Sequence, residues 1–246
     1  LQLQVILAYN LFMKSTIQDK SKLVNSVFSK VHKKYDLMND IMSLGIHRIW
    51  KNKLIDWMNP HKNARLLDVA SGTGDIAKLV SKKNNHLNQI TCIEPNQEMY
   101  IAGKSNLINF KNIKWYKAPA EKLPVKNNTF DFYTISFGIR NVSDINISLK
   151  EAFRILKPGG RFMCLEFSKI DNELINLIYQ QYSKIIPFFG KYIVGSSAPY
   201  DYLVKSIDDF YPQEELASLI KDNGFSNVEY RNLSNGISAI HSGWKI

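Results

Sequence analysis

Cysteine is scarce in this chain of 246 residues: Cys92 and Cys164 are the only two, and both sit inside apolar, strand-like runs. That excludes a disulfide framework and a thiolate metal centre, and it points to buried, inert thiols in a reducing compartment. The five histidines show no His-x-x-x-His spacing, and there is no Cys-x-x-Cys, so no metal is implied. No apolar stretch reaches the roughly 20 residues that a membrane-spanning helix needs. Leu1 to Phe12 is uncharged and apolar-rich, but it is too short to span and lacks the positive segment of a secretory signal. Met13 is therefore read as the native start, with residues 1–18 expected to stay outside the fold as a disordered or non-native extension. Acidic residues are outnumbered, 22 against 32 Lys and Arg, which leaves a net charge of +10. Such a balance favours an anionic neighbour (a membrane surface, nucleic acid or an acidic ligand), or it reflects a compositional habit of Lys-rich solvated faces.

What is present is organised around Ala64 to Ile76, Ala-Arg-Leu-Leu-Asp-Val-Ala-Ser-Gly-Thr-Gly-Asp-Ile, which reads as strand, tight turn and helix. Leu66, Leu67, Val69 and Ala70 suit a strand buried on both faces, and Gly72 and Gly74 permit a turn that side chains would block. A glycine turn at the carboxyl end of a first parallel strand lets backbone N–H groups approach a ligand at the switch point of an open α/β sheet. Glu94 ends the next strand, Ile90 to Ile93, roughly 20 residues on, where a doubly wound fold sets an acid on a ribose diol. The turn has no Lys for a triphosphate and no third glycine for a pyrophosphate, so neither the P-loop nor the dinucleotide fingerprint fits.

Along the chain, periodicity predicts helices over about 19–43 and 47–58, the second stopping before Pro60. They precede the first strand and are expected to form a lid outside the sheet. Further strands are expected at Ile113 to Tyr116, Asp131 to Phe137, Arg161 to Phe167, Phe225 to Tyr230 and Gly236 to Trp244. Ala118 to Pro124 reads as a loop, Ile145 to Leu156 and Pro212 to Asn223 as helices, and Lys157 to Gly160 as a sharp turn. The stretch 172–206 carries Leu174, Leu177, Ile178, Tyr182, Ile185 and Ile186 on one helical face. That face either packs on its own domain or forms an apolar wall for a substrate or a membrane. One large domain, residues 19–246, is expected, with 19–60 as the helical lid and 172–206 as the substrate-side insertion.

The Asp68-x-x-x-Gly72-x-Gly74 pattern resembles the first motif of the class I S-adenosylmethionine methyltransferases. Three further stretches are more specific: Tyr35-Asp36-x-Met38-Asn39 with Ser43 and Gly45-x-His47-Arg48-x-Trp50, then Ile135 to Val142, then Arg154 to Ser168. Together, and in this order, they resemble the ubiquinone/menaquinone biosynthesis C-methyltransferase family from about Lys22 to the C-terminus. The resemblance implies an α/β, Rossmann-like fold with a seven-stranded, mostly parallel sheet and one antiparallel edge strand. It implies S-adenosylmethionine as the cofactor, bound by Asp68, Gly72, Thr73, Gly74, Glu94, Pro119, Ala120 and Ser136, and no metal. Glu94 stands where this family usually has Asp, and Pro119 where it usually has Asn or Asp. The side-chain contact to adenine is thereby lost, which leaves backbone and apolar contacts for that ring.

For the ring of the acceptor, Arg140, Asn141, His47 and Tyr35 are the implied catalytic residues. Arg140 stays charged at neutral pH, so it would favour a phenolate or order a water rather than act as a free base. His47 has the intrinsic pKa of a base. Asp36 and Arg48 are alternatively a pair that fixes the lid. The implied reaction is methylation of a ring carbon on a polyprenylated benzoquinol or demethylmenaquinol. The expected location is cytoplasmic, and peripheral contact with the inner face of a membrane, a quinone-biosynthesis complex and a homo-oligomer are all compatible with it. No nucleic-acid partner is expected: the chain lacks the Asn/Asp-Pro-Pro-aromatic motif of amino methylation and the Pro-Cys of base C5 chemistry. Competing readings are a methyltransferase for another acceptor, nucleic acid or lipid, and a non-catalytic cofactor-binding scaffold.

Overall fold

Successive residues of the inner strands point to opposite faces, and here both faces are apolar. In a computed structural model, Leu66 of strand β1 (Arg65–Val69) joins one core with Ile90, Cys92, Phe132, Met163 and Leu165. Leu67 and Val69 join a second core with Ile93, Tyr133, Ile135, Phe162 and Cys164. A strand of this kind needs helices on both sides, which is why the short unbroken apolar runs sit between helical segments. The structure describes residues 43–83, 89–170 and 198–246, together with Val24, Asp40, Leu87, Glu173, Leu177, Tyr179, Gln181 and Tyr182.

The elements run α1 (His47–Met58), β1, α2 (Asp75–Lys83), β2 (Gln89–Ile93), α3 (Gln97–Asn106), β3 (Ile113–Tyr116), β4 (Phe130–Ser136) and a 3-10 turn (Ile139–Asn141). They continue through α4 (Ile145–Ile155), β5 (Leu156–Phe167), α5 (Ala198–Asp208), α6 (Gln213–Asp222), β6 (Ser226–Leu233) and β7 (Ser238–Trp244). The sheet order is β3-β2-β1-β4-β5-β7-β6. From β1 the chain first builds outward through β2 and β3, then returns to add β4 on the other side. The switch point therefore lies between β1 and β4, whose registers set Asp68 opposite Thr134. Cys92 and Cys164 are both buried free thiols.

Three local expectations change. The antiparallel strand is not the edge: β7 runs antiparallel to both β5 and β6 and lies between them. Its burial is nearly continuous, whereas β6 alternates buried and open positions as an edge strand does. Lys157 to Gly160 does not leave the sheet as a separate turn. It belongs to β5, where Gly159 N–H donates to Lys245 O and Lys245 N–H donates to Gly160 O at 2.9 Å, so the chain end pins it. Finally, β6 runs on to Leu233, and Gly236 falls in the turn before β7. Most of the expected first lid helix, all of residues 1–18 and most of 172–206 lie outside the described residues.

Helix α1 ends at Asn59, which takes the left-handed conformation ahead of Pro60. Its Trp50 is 2% exposed, wedged against Phe137 and Phe167 with ring centroids 6.3 and 6.0 Å away, and its indole N–H donates to Ser234 Oγ at 3.0 Å. An anchor of this kind contributes on the order of 2–3 kcal/mol. It fixes α1 over the carboxyl ends of β4 and β5, which decides where Lys51 points.

In α3, Gly103 looks replaceable by the better helix former alanine, yet an added Cβ would lie 2.2 Å from the Trp115 ring. Gly103→Ala is expected to destabilise the protein by about 1–3 kcal/mol in urea denaturation, because overpacking outweighs the helix-propensity gain of roughly 1 kcal/mol. A stabilised variant would contradict this packing.

Candidate active site

The carboxyl ends of β1 and β4 are held in uncommon backbone conformations. Ala70 follows β1 with φ +52° and Phe137 follows β4 with φ +55°, a left-handed region that costs non-glycine residues about 1–3 kcal/mol each. The two loops nearly touch, since a Cβ on Gly138 would lie 2.5 Å from that of Ala70. Gly72 and Gly74 have φ of +56° and +91° and carry the β1 end into α2. Ser71 braces this turn, its hydroxyl donating to Asp68 O at 2.7 Å and its N–H to Ile93 O at 3.1 Å.

Two cavities open here and share Ala70, Gly72 and Phe137. The larger is walled by Glu94, Pro95, Asn96 and Met99 from the β2 side, by Pro119, Ala120 and Glu121, and by Gly138, Asn141, Val142 and Ser143 after β4; Val24 also reaches it. The smaller is lined by Lys51, Asp68, Ser71, Thr73, Asp75, Ile76 and Ser136. Seven of the eight expected cofactor residues thus line one cavity or the other. Gly74 lines neither: its missing side chain leaves room for Leu107, whose Cδ1 would lie 2.6 Å from an added Cβ.

Burial governs the charges. Glu94 is buried, with Oε2 accepting from Gly72 N–H at 2.8 Å and Oε1 from Asn96 N–H at 2.9 Å. Desolvation nevertheless dominates these bonds and pushes its pKa up to about 7. Asp68 is likewise raised to about 7 by burial, against hydrogen bonds from Thr134 and Ser71. Thr134 Oγ1 donates to Asp68 Oδ1 at 2.8 Å, while Oδ2 has no partner among the described residues. Ser136 Oγ, in the same small cavity, is buried and unpartnered too. A buried carboxylate oxygen and a buried hydroxyl left open in one cavity suit a ligand that brings donors.

On the acceptor side the structure separates the expected residues. Asn141 lines the larger cavity, and its Oδ1 accepts from Tyr202 Oη at 2.9 Å. Arg140 lines neither cavity. It lies buried behind the wall in an ion pair with Glu166, and its Nη1 also donates to Phe137 O at 3.0 Å. Its charge is therefore committed, and its direct effect is to hold the strained Phe137 turn. His47 lines neither cavity and is buried one helical turn before Lys51, with Nε2 on Asp40 Oδ1 at 2.8 Å and Nδ1 unpartnered. Burial, reinforced by the nearby Lys51 charge, holds its pKa below the usual histidine value. Arg48 pairs with Asp40, at 2.7 and 3.1 Å. Asp36, its expected partner, and Tyr35 lie outside the described residues.

Three participants were not among the expected site residues. Lys51 reads in sequence as one more polar position of an amphipathic helix. Tyr202 sits in the insertion with nothing local to mark it. Glu166 carried a signal, an acid inside the apolar run Met163 to Phe167, since a carboxylate in a buried strand needs a partner.

Comparison with known proteins gives the chain's relatives. Residues 14–245 match the model of the ubiE/COQ5 methyltransferase family. The chain is 50% identical over 242 residues to the ubiquinone/menaquinone biosynthesis C-methyltransferase UbiE of Rickettsia bellii, covering 96% of this chain and 97% of that protein. The Rickettsia rickettsii protein of the same name is 51% identical over 240 residues, 95% of this chain and 96% of that one. Among solved structures, an S-adenosylmethionine-dependent methyltransferase of Thermotoga maritima superposes with a TM-score of 0.64 at 20% identity, covering 91% of this chain and all of that one. A phosphoethanolamine N-methyltransferase of Haemonchus contortus, solved with S-adenosylhomocysteine, gives 0.60 at 13% identity over 80% of this chain and 52% of that one. These two show the shared fold.

The raised pKa of Asp68 makes stability depend on pH. Its folded value of about 7 lies above the ordinary 3.8, so the folded state binds the extra proton. Stability is then full below about pH 4 and declines as pH rises through about 7. The unfolding free energy of the free protein, from urea titrations, is expected to fall between about pH 4 and 7, by a few kcal/mol in all, and to level off above that. Asp68→Asn, which keeps an acceptor for Thr134, should show a shallower decline; equal slopes would contradict the assignment.

Proposed function

The chain belongs to the ubiE/COQ5 methyltransferase family, and on that premise we propose that it moves a methyl group from S-adenosylmethionine to a ring carbon of a polyprenylated benzoquinol or demethylmenaquinol. The observation that carries this reading is the double cavity at the β1/β4 switch point, built from the residues that the motifs single out. Its open groups fit the cofactor. Asp68 Oδ2 and Ser136 Oγ lack partners among the described residues and can receive the α-ammonium. Glu94 uses one lone pair of each oxygen on backbone N–H groups and keeps capacity for two ribose hydroxyls. Pro95, Met99, Pro119 and Ala120 offer apolar walls for adenine. When bound, S-adenosylmethionine supplies an electrophilic methyl carbon on a sulfonium.

The protein's own part is orientation and preparation of the ring. A quinol carbon becomes nucleophilic as the neighbouring hydroxyl gives up its proton, so the wall must favour the oxyanion and something must take the proton. Asn141 is placed to do the first: Tyr202 holds its Oδ1, one amide N–H makes a long bond of 3.4 Å to Phe137 O, and the other is left for the cavity it lines. Arg140 acts through Asn141: its ion pair with Glu166 and its bond to Phe137 O set the turn that presents the amide. Of the residues expected at the acceptor, His47 carries the one side chain whose ordinary pKa suits a proton acceptor at neutral pH, although it lines neither cavity and burial lowers that pKa. With Nε2–H donated to Asp40, its Nδ1 is unprotonated and has no partner among the described residues.

No helix among the described residues is long and apolar enough to cross a membrane. Access to a polyprenyl acceptor would then be peripheral. Leu44 and Ile49, 72% and 56% exposed beside Arg48 and Lys53, make an apolar and basic edge suited to an anionic bilayer.

Incubation with methyl-labelled S-adenosylmethionine and each quinol is expected to place label on a ring carbon. Cofactor binding without label on either ring would overturn the reading. Asn141→Ala should lower turnover about 100-fold while S-adenosylhomocysteine affinity stays within about twofold.

A further inference from the structure

The smaller cavity contains one cation among its charged walls. Lys51 is 4% exposed, yet it lines this cavity, and among the described residues its one hydrogen bond goes to Asp75 Oδ2 at 2.7 Å. An ammonium carries three donors, so two remain unused in a space where unmet donors are costly. The same cavity is lined by two acceptors without a partner among the described residues, Asp68 Oδ2 and Ser136 Oγ. A cavity that offers both spare donors and spare acceptors is complementary to an α-amino acid zwitterion. We propose that Lys51 binds the carboxylate at the amino-acid end of the cofactor, so that the helix lying outside the sheet is fastened to the occupied cradle through this ammonium. The proposal rests on the cradle being the S-adenosylmethionine site described above.

Sharing Lys51 with a second carboxylate does not strand Asp75. That residue opens α2, where the helix dipole favours a negative charge by itself, and its side chain is 34% exposed, so water reaches it. Burial works against the Asp75 carboxylate, and the Lys51 charge, its hydrogen bond and the charges of His47 and Lys78 together outweigh it, so the Asp75 pKa lies below the ordinary value in the free protein. Geometry explains why this cation comes from α1. The Trp50 anchor turns the next residue toward the β1 end, and the glycine turn itself offers no basic side chain. Occupancy of the cradle and seating of α1 are thereby coupled, and α1 also carries His47.

Methylthioadenosine separates this role from a merely structural Lys51–Asp75 link, because it shares the adenosine and thioether of S-adenosylhomocysteine but lacks the amino-acid end. Calorimetric titration of Lys51→Met is expected to show S-adenosylhomocysteine weakened at least about tenfold and methylthioadenosine changed by less than about twofold. Lys51→Gln, which keeps a donor for Asp75 and removes the charge, should show the same selective loss and covers the case in which the methionine variant fails to fold. Equal loss for both ligands, or no loss for either, would overturn the role of Lys51. Failure of the unaltered protein to bind either ligand would instead overturn the cradle reading.

Discussion

The Glu94 carboxylate is the tie on which the cofactor side depends. One oxygen holds Gly72 at the β1 end and the other holds Asn96 after β2. Past the end of β1 a single backbone bond, Ser71 N–H to Ile93 O, continues the ladder, and the buried acid supplies the further tie between the two loops. The arrangement carries an electrostatic cost, visible in a pKa of about 7. Protein N–H groups offset part of it, and ligand hydroxyls are suited to offset more. The free site is thus tuned to want donors. Asp68, buried one strand over with one oxygen open, repeats the same logic for a cationic group.

A second buried charge organises the acceptor side. Arg140 and Glu166 pair beneath the Phe137 turn, and Glu166 also accepts from its neighbour's backbone, Phe167 N–H, at 2.9 Å. A pair this deeply buried is weak evidence for stability, since desolvation consumes much of the attraction. Its value lies in specificity: it fixes one geometry for the Phe137 to Asn141 turn, and Asn141 is what reaches the cavity. The two sides meet at Ala70, Phe137 and Gly138, where strained backbone and the near contact of two loops bring cofactor and acceptor walls together.

Much of this was legible in the sequence because it rests on local chemistry. Gly72 and Gly74 announce the turn, Glu94 ends an apolar strand at the expected distance, and Ser136 closes another. The helix from His47 to Met58 was readable to its last residue because Asn59-Pro60 stops it. What was hidden depends on tertiary partners. Sequence places Arg140 at the ligand edge but cannot say that Glu166, 26 residues on, claims its charge. Lys51 is a polar helix position until Trp50 docks and turns it inward. The β6–β7 hairpin has the same sequence whichever strand pairs with β5, so the antiparallel strand was placed at the edge when it lies one place in. Gly74, read as an opening for a ligand, answers to Leu107.

A site that holds two carboxylic acids poised near neutrality should change their proton count when donors arrive. Titration of S-adenosylhomocysteine into the protein, in buffers of differing ionisation heat, measures that change directly. Net proton release is expected at about pH 7, fading by about pH 9 where both acids are already ionised. Heats independent of buffer at about pH 7, or proton uptake, would contradict a cradle built on Glu94 and Asp68.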